Sequence, residues 1–321
     1  MIGTDVDAPV ATSTEAPPAP PDDIASAPAP SQGPESTGVP SIAARIAGQM
    51  LCIFAAVTLG FVAQMAGLSG LQHARAQHVE YAELRQSLAR ATISVNGLDP
   101  KGRLLVPGTP IALIEIPKIG VKEVVGEGTS GGSLTSGPGH RRDTVFPGQV
   151  GVSVIMGRRA AYGGPFSRLR ELQAGDQIKV TTGQGIATFS VTDVRYSGDP
   201  QPEPPDPGIG RLTLVTADGP PYFPTDAIRV DADTVTPAFQ TVPPPVNAQG
   251  LTDAEQAMAG DKTALMPLVL LSQLLLLSTA LIVWVRYRVG RWHAWVIGVP
   301  VLTSLGLTVA DEIARLMPNL L

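Results

Sequence analysis

The sequence predicts a mostly β domain held outside a membrane by an anchor of three transmembrane helices. Three observations predict it. Three long runs are apolar and uncharged, a short loop between the second and third carries three arginines, and the region after the first run breaks into brief β-branched segments separated by Gly, Pro and Asp. Composition agrees: of 321 residues 44% are hydrophobic and only 16% charged, so the apolar residues must fill a core or gather in segments that leave water. A net charge of −5 without clustered Lys or Arg argues against a nucleic-acid partner. One cysteine, Cys52, excludes a disulfide framework.

Residues 1–45 are rich in Pro, Ala, Ser and acidic residues, as in Pro17-Pro18-Ala19-Pro20-Pro21-Asp22-Asp23. Such a stretch buries too little apolar surface to offset its ordering entropy, so a disordered tail is expected. Residues 46–71 carry no formal charge and are long enough, as a helix, to cross the ~30 Å hydrocarbon layer. The second and third spans are placed at 264–285 and 292–310. Between them, residues 286–291 hold Arg286, Arg288 and Arg291, which the positive-inside rule assigns to the cytoplasm. That puts the tail in the cytoplasm and the β domain outside, with 311–321 as a C-terminal tail.

Residues 72–92 are expected as an amphipathic stalk helix. Leu71, Ala74, His78, Tyr81, Leu84 and Leu88 recur at helical spacing, and packing of that face onto the exterior domain is favoured over a dimer seam. After a linker, 93–110, the period changes. Within 111–236 the runs 111–116, 121–127, 152–156, 177–182, 186–197, 211–216 and 227–235 read as strands of an antiparallel sandwich or barrel, with one brief helix at 166–172. The linker 237–262 includes Val242-Pro243-Pro244-Pro245 and should be extended.

Two familiar motifs fail on context. Gly126-Glu127-Gly128-Thr129-Ser130-Gly131 has dinucleotide-fingerprint spacing, but Gly132-Ser133-Leu134-Thr135-Ser136-Gly137-Pro138 cannot open the helix that would hold a pyrophosphate. Gly128-Thr129-Ser130-Gly131-Gly132 has nucleophile-elbow spacing without the strand, turn and helix that expose the serine. The histidines His73, His78, His140 and His293 have no ligand spacing within the β domain, so neither metal nor cofactor is expected, and His73 and His78 read as solvated stalk residues.

A second set of motifs carries a resemblance. Ile116-Pro117-Lys118-Ile119-Gly120, Glu127-Gly128-Thr129-Ser130, Gly137-Pro138-Gly139-His140, Phe146-Pro147-Gly148-Gln149, Tyr162-Gly163-Gly164-Pro165-Phe166-Ser167-Arg168-Leu169 and Arg211-Leu212-Thr213-Leu214-Val215-Thr216 occur in the order found in sortases. The chain resembles that family of cysteine transpeptidases, which attach proteins to the cell wall or to pilins in Gram-positive bacteria. The resemblance implies an eight-stranded β-barrel displayed outside the membrane. It also implies three catalytic positions. The cysteine position, after Thr213-Leu214-Val215-Thr216, is Ala217; the histidine position, in Met156-Gly157-Arg158-Arg159, is Arg158; the arginine position, in Ala227-Ile228-Arg229-Val230, is Arg229.

The departures decide the expected chemistry. An alanine methyl has no lone pair to attack a carbonyl, and an arginine does not take up a proton as an imidazole does. In a serine protease, loss of nucleophile and base costs about 10⁶ in rate. Cys52 lies in a membrane span, and Thr216, adjacent to Ala217 on a strand, should turn to the opposite face. His140, in a Gly-Pro-Gly-His segment that reads as a turn, is expected to be structural.

The expectation is therefore a non-catalytic sortase-like protein. Arg158 and Arg229 would offer guanidinium forks to an exported peptide, a cell-wall polymer or a membrane protein partner. The alternatives are an active transpeptidase or hydrolase using another nucleophile, and a scaffold subunit of a membrane complex, in which the arginines only pair with acids such as Asp218, Asp226 or Asp231. Oligomeric state is left open. The loop 198–210, with Asp199-Pro200-Gln201-Pro202-Glu203-Pro204-Pro205-Asp206-Pro207, departs from the family's substrate loop in being short, acidic and stiff.

Overall fold

The computed structural model describes residues 42–288 and 290–321. Most of the expected tail, 1–41, lies outside them. Contacts divide the chain after Met50, and the packing described below lies within Leu51–Leu321.

Helix α1, Ile42–Ala63, covers most of the expected first span and passes through a π-helical turn, Gln64–Leu68, into α2, Ser69–Ala89. The barrel follows: β1 Pro110–Ile116, β2 Val121–Glu127, β3 Gly139–His140, β4 Gly151–Met156, β5 Gln177–Thr182, β6 Gly185–Arg195, β7 Gly210–Asp218 and β8 Asp226–Thr234. The strands close in the order β1-β2-β3-β4-β7-β8-β6-β5. Seven coincide with the apolar runs expected from sequence; the two-residue β3 is the addition. The sheet is not wholly antiparallel, because β2 pairs with β3, and β4 with β7, in parallel. Closing the barrel there requires the long crossover that carries β5 and β6. The expected helix at 166–172 shrinks to a single 3₁₀ turn, Leu169–Glu171. The β1–β2 connection turns at Gly120, whose φ of 70° is a left-handed conformation that glycine takes without strain.

Alternation along the strands fills the barrel. Leu212 and Leu214 of β7, Val230 and Ala232 of β8, Ile155 of β4 and Phe189 of β6 point inward and join Ile111, Ile114 and Phe166 in one core. The residues between them face outward, which places the site.

Helix α2 packs on β1 and β2 as the sequence reading favoured, through a face that keeps Leu84 of the expected stripe but is turned toward His73 and Gln77. Leu71 is exposed, whereas Ser69, His73 and Leu84 are buried. The joint is polar. His73 Nε2 meets Glu123 at 3.2 Å, so His73 is a buried partner and not a solvated residue. The Gln77 side chain inserts beside β2, accepting from the Val124 N–H at 2.7 Å and donating to the Ser136 and Val124 carbonyls. A hydrophobic stripe places such a helix only in part, because hydrogen bonds to strand backbone, and not apolar area alone, choose the docking face.

After β8 the chain does not run free. Phe239 pairs in parallel with Gln149, and Asn247 and Thr252 cap short 3₁₀ turns. Buried Glu255 takes Arg142 in a two-pronged contact of 2.7 and 2.6 Å, so the linker is a clasp over the barrel and not an extended spacer. Helices α3, Leu265–Arg288, and α4, Arg291–Leu316, then form a hairpin. The stretches Lys262–Arg288 and Arg291–Leu316, whose most apolar 18-residue segments have mean hydropathy 2.4 and 1.5, are long and apolar enough to cross a membrane. Helix α4 runs six residues past the expected span end at 310, so much of the expected C-terminal tail is helical.

The ends of this hairpin meet the barrel. Gln64 Nε2 and the Tyr162 hydroxyl both donate to Asp311 Oδ1, at 2.9 and 3.1 Å, and Arg315 binds Asp261 at 2.8 Å.

Candidate functional site

The outward faces of β4, β7 and β8 make a groove of about 430 Å³ roofed by the proline loop, with Gln201, Glu203 and Pro205 on its rim. Register builds it. In the β7–β8 ladder Arg211 faces Asp233, Thr213 faces Asp231, Val215 faces Arg229 and Ala217 faces Ala227. These pairs share one side of the sheet, because partners in an antiparallel ladder point the same way. Val152, Val154 and Met156 of β4 supply an apolar floor.

Four arginines line the groove: Arg141, Arg195, Arg211 and Arg229. Three are tied to carboxylates. Arg195 Nε lies 2.5 Å from Asp231, which also accepts from Thr213 at 2.6 Å; Arg211 grips Asp233 in a fork at 2.6 and 2.9 Å; Arg141 meets Asp143 at 2.8 Å. Arg229 differs. Among the described residues no carboxylate pairs with it, and its only hydrogen bond is a 3.5 Å contact to the Ala227 carbonyl.

Ala217 does not line the groove but lies beside it, in a cluster that shares Met156 and Val215 with the lining. It is buried in an apolar cluster with Leu134, Met156, Val215, Ala227 and Leu320. Thr216 turns the other way, donating to the Gly157 carbonyl at 2.8 Å, as alternation requires.

Arg158 stands apart from Arg229. The sequence reading put both in one anion pocket, but Arg158 is fully buried and absent from the groove lining. Its Nη2 donates to the Gly131 carbonyl at 2.8 Å and its Nε to the Leu134 carbonyl at 3.2 Å, while the guanidinium carbon sits 5.0 Å from the Tyr162 ring centre. The cause is local: the glycine-rich turn 131–134 aims unpaired carbonyls inward, and a charged donor satisfies them. Burial pulls the Arg158 pKa down to about 10, opposed by nearby Tyr162, so the group is still a cation at neutral pH. Its orphaned buried Nη1 faces no ligand atom in the structure.

His140 is also internal. Its Nδ1 meets Glu127 at 2.9 Å and its Nε2 the Val145 carbonyl at 3.0 Å, so His140 is structural as expected, with Gly139–His140 forming a short strand where a turn was expected. Sequence reasoning missed Arg141, Arg195 and Arg211. The i, i+2 spacing of Arg211, Thr213, Val215 and Ala217 was the available signal, since it puts all four on one face.

Residues 114–233 match the protein-family profile described as Sortase domain. Sortase D of Bacillus subtilis (strain 168) is 32% identical over 88 residues, which are 27% of this chain and 43% of that protein. The match thus spans less than half of that relative. Among solved structures, a Clostridium perfringens Sortase D5 transpeptidase aligns at 24% identity, covering 50% of this chain and 99% of that one, with a TM-score of 0.42. A mutant of sortase E from Streptomyces avermitilis aligns at 26% identity, covering 47% and 100%, with a TM-score of 0.35.

Proposed function

We propose that this protein is a membrane-anchored sortase-like binding module without covalent catalysis, and that its groove holds an exported peptide, wall polymer or membrane partner bearing anionic groups. The observation that carries the reading is that Ala217 and Arg229 share one face of the β7–β8 ladder, Arg229 opposite Val215 and Ala217 two residues further along β7. A methyl group stands where the resemblance places the nucleophile, and an arginine without a carboxylate partner stands beside it. The methyl cannot form a thioacyl bond, and Arg158, already engaged by two carbonyls, is no proton acceptor. An apolar floor with a free guanidinium at its edge suits a ligand that combines aliphatic groups with a carboxylate or phosphate.

The same reading gives the chain three spans, with the arginine loop inside and the barrel outside. The barrel-side meeting of Gln64, Asp261, Asp311 and Arg315 supports it, because one barrel face then receives the corresponding ends of all three helices.

The test is titration of the full chain in detergent with sorting-signal-like peptides, acidic and neutral, and with acidic glycopolymers. Binding of acidic ligands that Arg229→Ala weakens about 10-fold is expected. No binding at millimolar concentration sinks the reading. Mass spectrometry after incubation with a sorting peptide and an amine nucleophile should show no transfer product.

A further inference from the structure

Residues 317–321, after α4, pack beside the groove, where Leu320 joins the cluster of Ala217 with Met156 and Val215, two residues that line it. Pro318 prevents continuation of the helix and leaves Met317 extended, and the Leu321 N–H returns to the Pro318 carbonyl at 3.0 Å, forming a tight turn. Leu320, at that turn, is fully buried against Leu134, Met156, Val215, Ala217 and Ala227. None of these belongs to the barrel core, which is complete without them. The backbone completes the seat: the Arg159 N–H donates to the Leu320 carbonyl at 3.0 Å and the Ala161 N–H to the Leu321 carbonyl at 3.4 Å.

Asn319 latches the turn. Its side-chain amide donates to the Thr129 carbonyl at 2.8 Å and the Gln256 carbonyl at 2.9 Å, and its N–H bonds the Ala259 carbonyl at 2.9 Å. It therefore joins the glycine-rich loop to the clasp that follows β8. The latch has no slack toward the helix hairpin. A side chain at Gly260 would collide with the Leu316 carbonyl, and one at Gly131 would stand 3.1 Å from the Arg315 carbonyl.

We propose that residues 317–321 are a built-in plug of the sortase-type cleft: Leu320 fills the pocket at Ala217, and a ligand reaches that pocket only when α4 and its plug withdraw from the barrel. The alternative, that these residues are a permanent part of the fold, differs in one measurable respect. A plug opens without unfolding the barrel, whereas a permanent element opens only with it. Because a ligand must await the open state, its apparent affinity is reduced by the open fraction, and movement of α4 within the anchor becomes a control on the groove. The proposal rests on the groove being a ligand site, but closure can be read without any ligand.

The experiment uses the full chain in detergent with Cys52→Ser and Ala217→Cys, leaving one thiol, and follows its modification by a maleimide. Slow modification is expected, rising at least about 10-fold with Leu320→Asp or with residues 317–321 replaced by Gly and Ser, while the melting transition of the barrel persists. Equal rates with and without the plug overturn the proposal, as does loss of the barrel transition in both plug variants. A second arm pairs Ala217→Cys with Leu320→Cys. A disulfide that forms under mild oxidation and opens a ligand-independent difference in maleimide rate on reduction supports the plug, and failure to crosslink overturns it. Acidic-peptide titration of the plug-replaced chain is read separately: no binding there defeats the ligand reading of the groove and leaves closure standing.

Discussion

Arg158 carries a charge into a place where the resemblance puts a titrating imidazole, and the structure uses that charge to hold a loop. Two carbonyls of the turn 131–134 depend on it. Arg158→Ala should therefore strip both acceptors at once and lower stability by about 2–4 kcal/mol, read as a fall in the barrel's melting temperature. Arg158→Lys should recover only part, because an ammonium lacks the fork that meets both carbonyls. Arg229 makes the opposite case. It is half-exposed and bound to no acid, so Arg229→Ala should leave the melting temperature within about 1 °C while weakening acidic ligands. The two substitutions thus separate structural from ligand-facing charge.

Between residues and whole fold lie the joints. Gln77 ties α2 to Val124 of β2 through two backbone bonds and to the Ser136 carbonyl through a third, and Gln77→Ala should cost about 1–3 kcal/mol or free α2 to exchange amide hydrogens faster than the strands. The Arg142–Glu255 clasp gives a pH dependence. Burial alone would raise the Glu255 pKa, but Arg142 and the Thr252 N–H outweigh it and hold the carboxyl below its usual 4.5. A carboxyl whose folded pKa is depressed stabilises fully above the unfolded value and loses that contribution as pH falls through the folded one. Urea midpoints should therefore be flat in this respect above about pH 5 and decline below about 4.5, and Glu255→Gln should remove that part of the acid decline. These joints show the limit of reading elements singly. Strand runs were legible because alternation and β-branching are local, whereas β3, two residues long, exists only because β2 and β4 flank it. The docking face of α2 was legible at Leu84 but not at its polar centre, because Gln77 and His73 gain their value from partners about 50 residues away.

For the molecule as a whole, the arginine loop predicts that the barrel and loop 286–291 lie on opposite sides of the membrane. With Cys52→Ser as background, Gln201→Cys should react with a membrane-impermeant maleimide on intact cells, and Tyr287→Cys only after permeabilisation. The reverse pattern would invert the topology.

The sequence alone determined the two apolar helices after the barrel, the seven main strands, the family resemblance and the absence of a thiol from the domain, because each follows from residue type and short-range spacing. Tertiary structure decided the rest. It separated Arg158 from Arg229, since a side chain's direction depends on which carbonyls await it. It gathered Arg141, Arg195 and Arg211 around Arg229 through strand register. It also set Leu320 against Ala217, a contact between residues about a hundred positions apart that only a closed barrel with a returning helix can make.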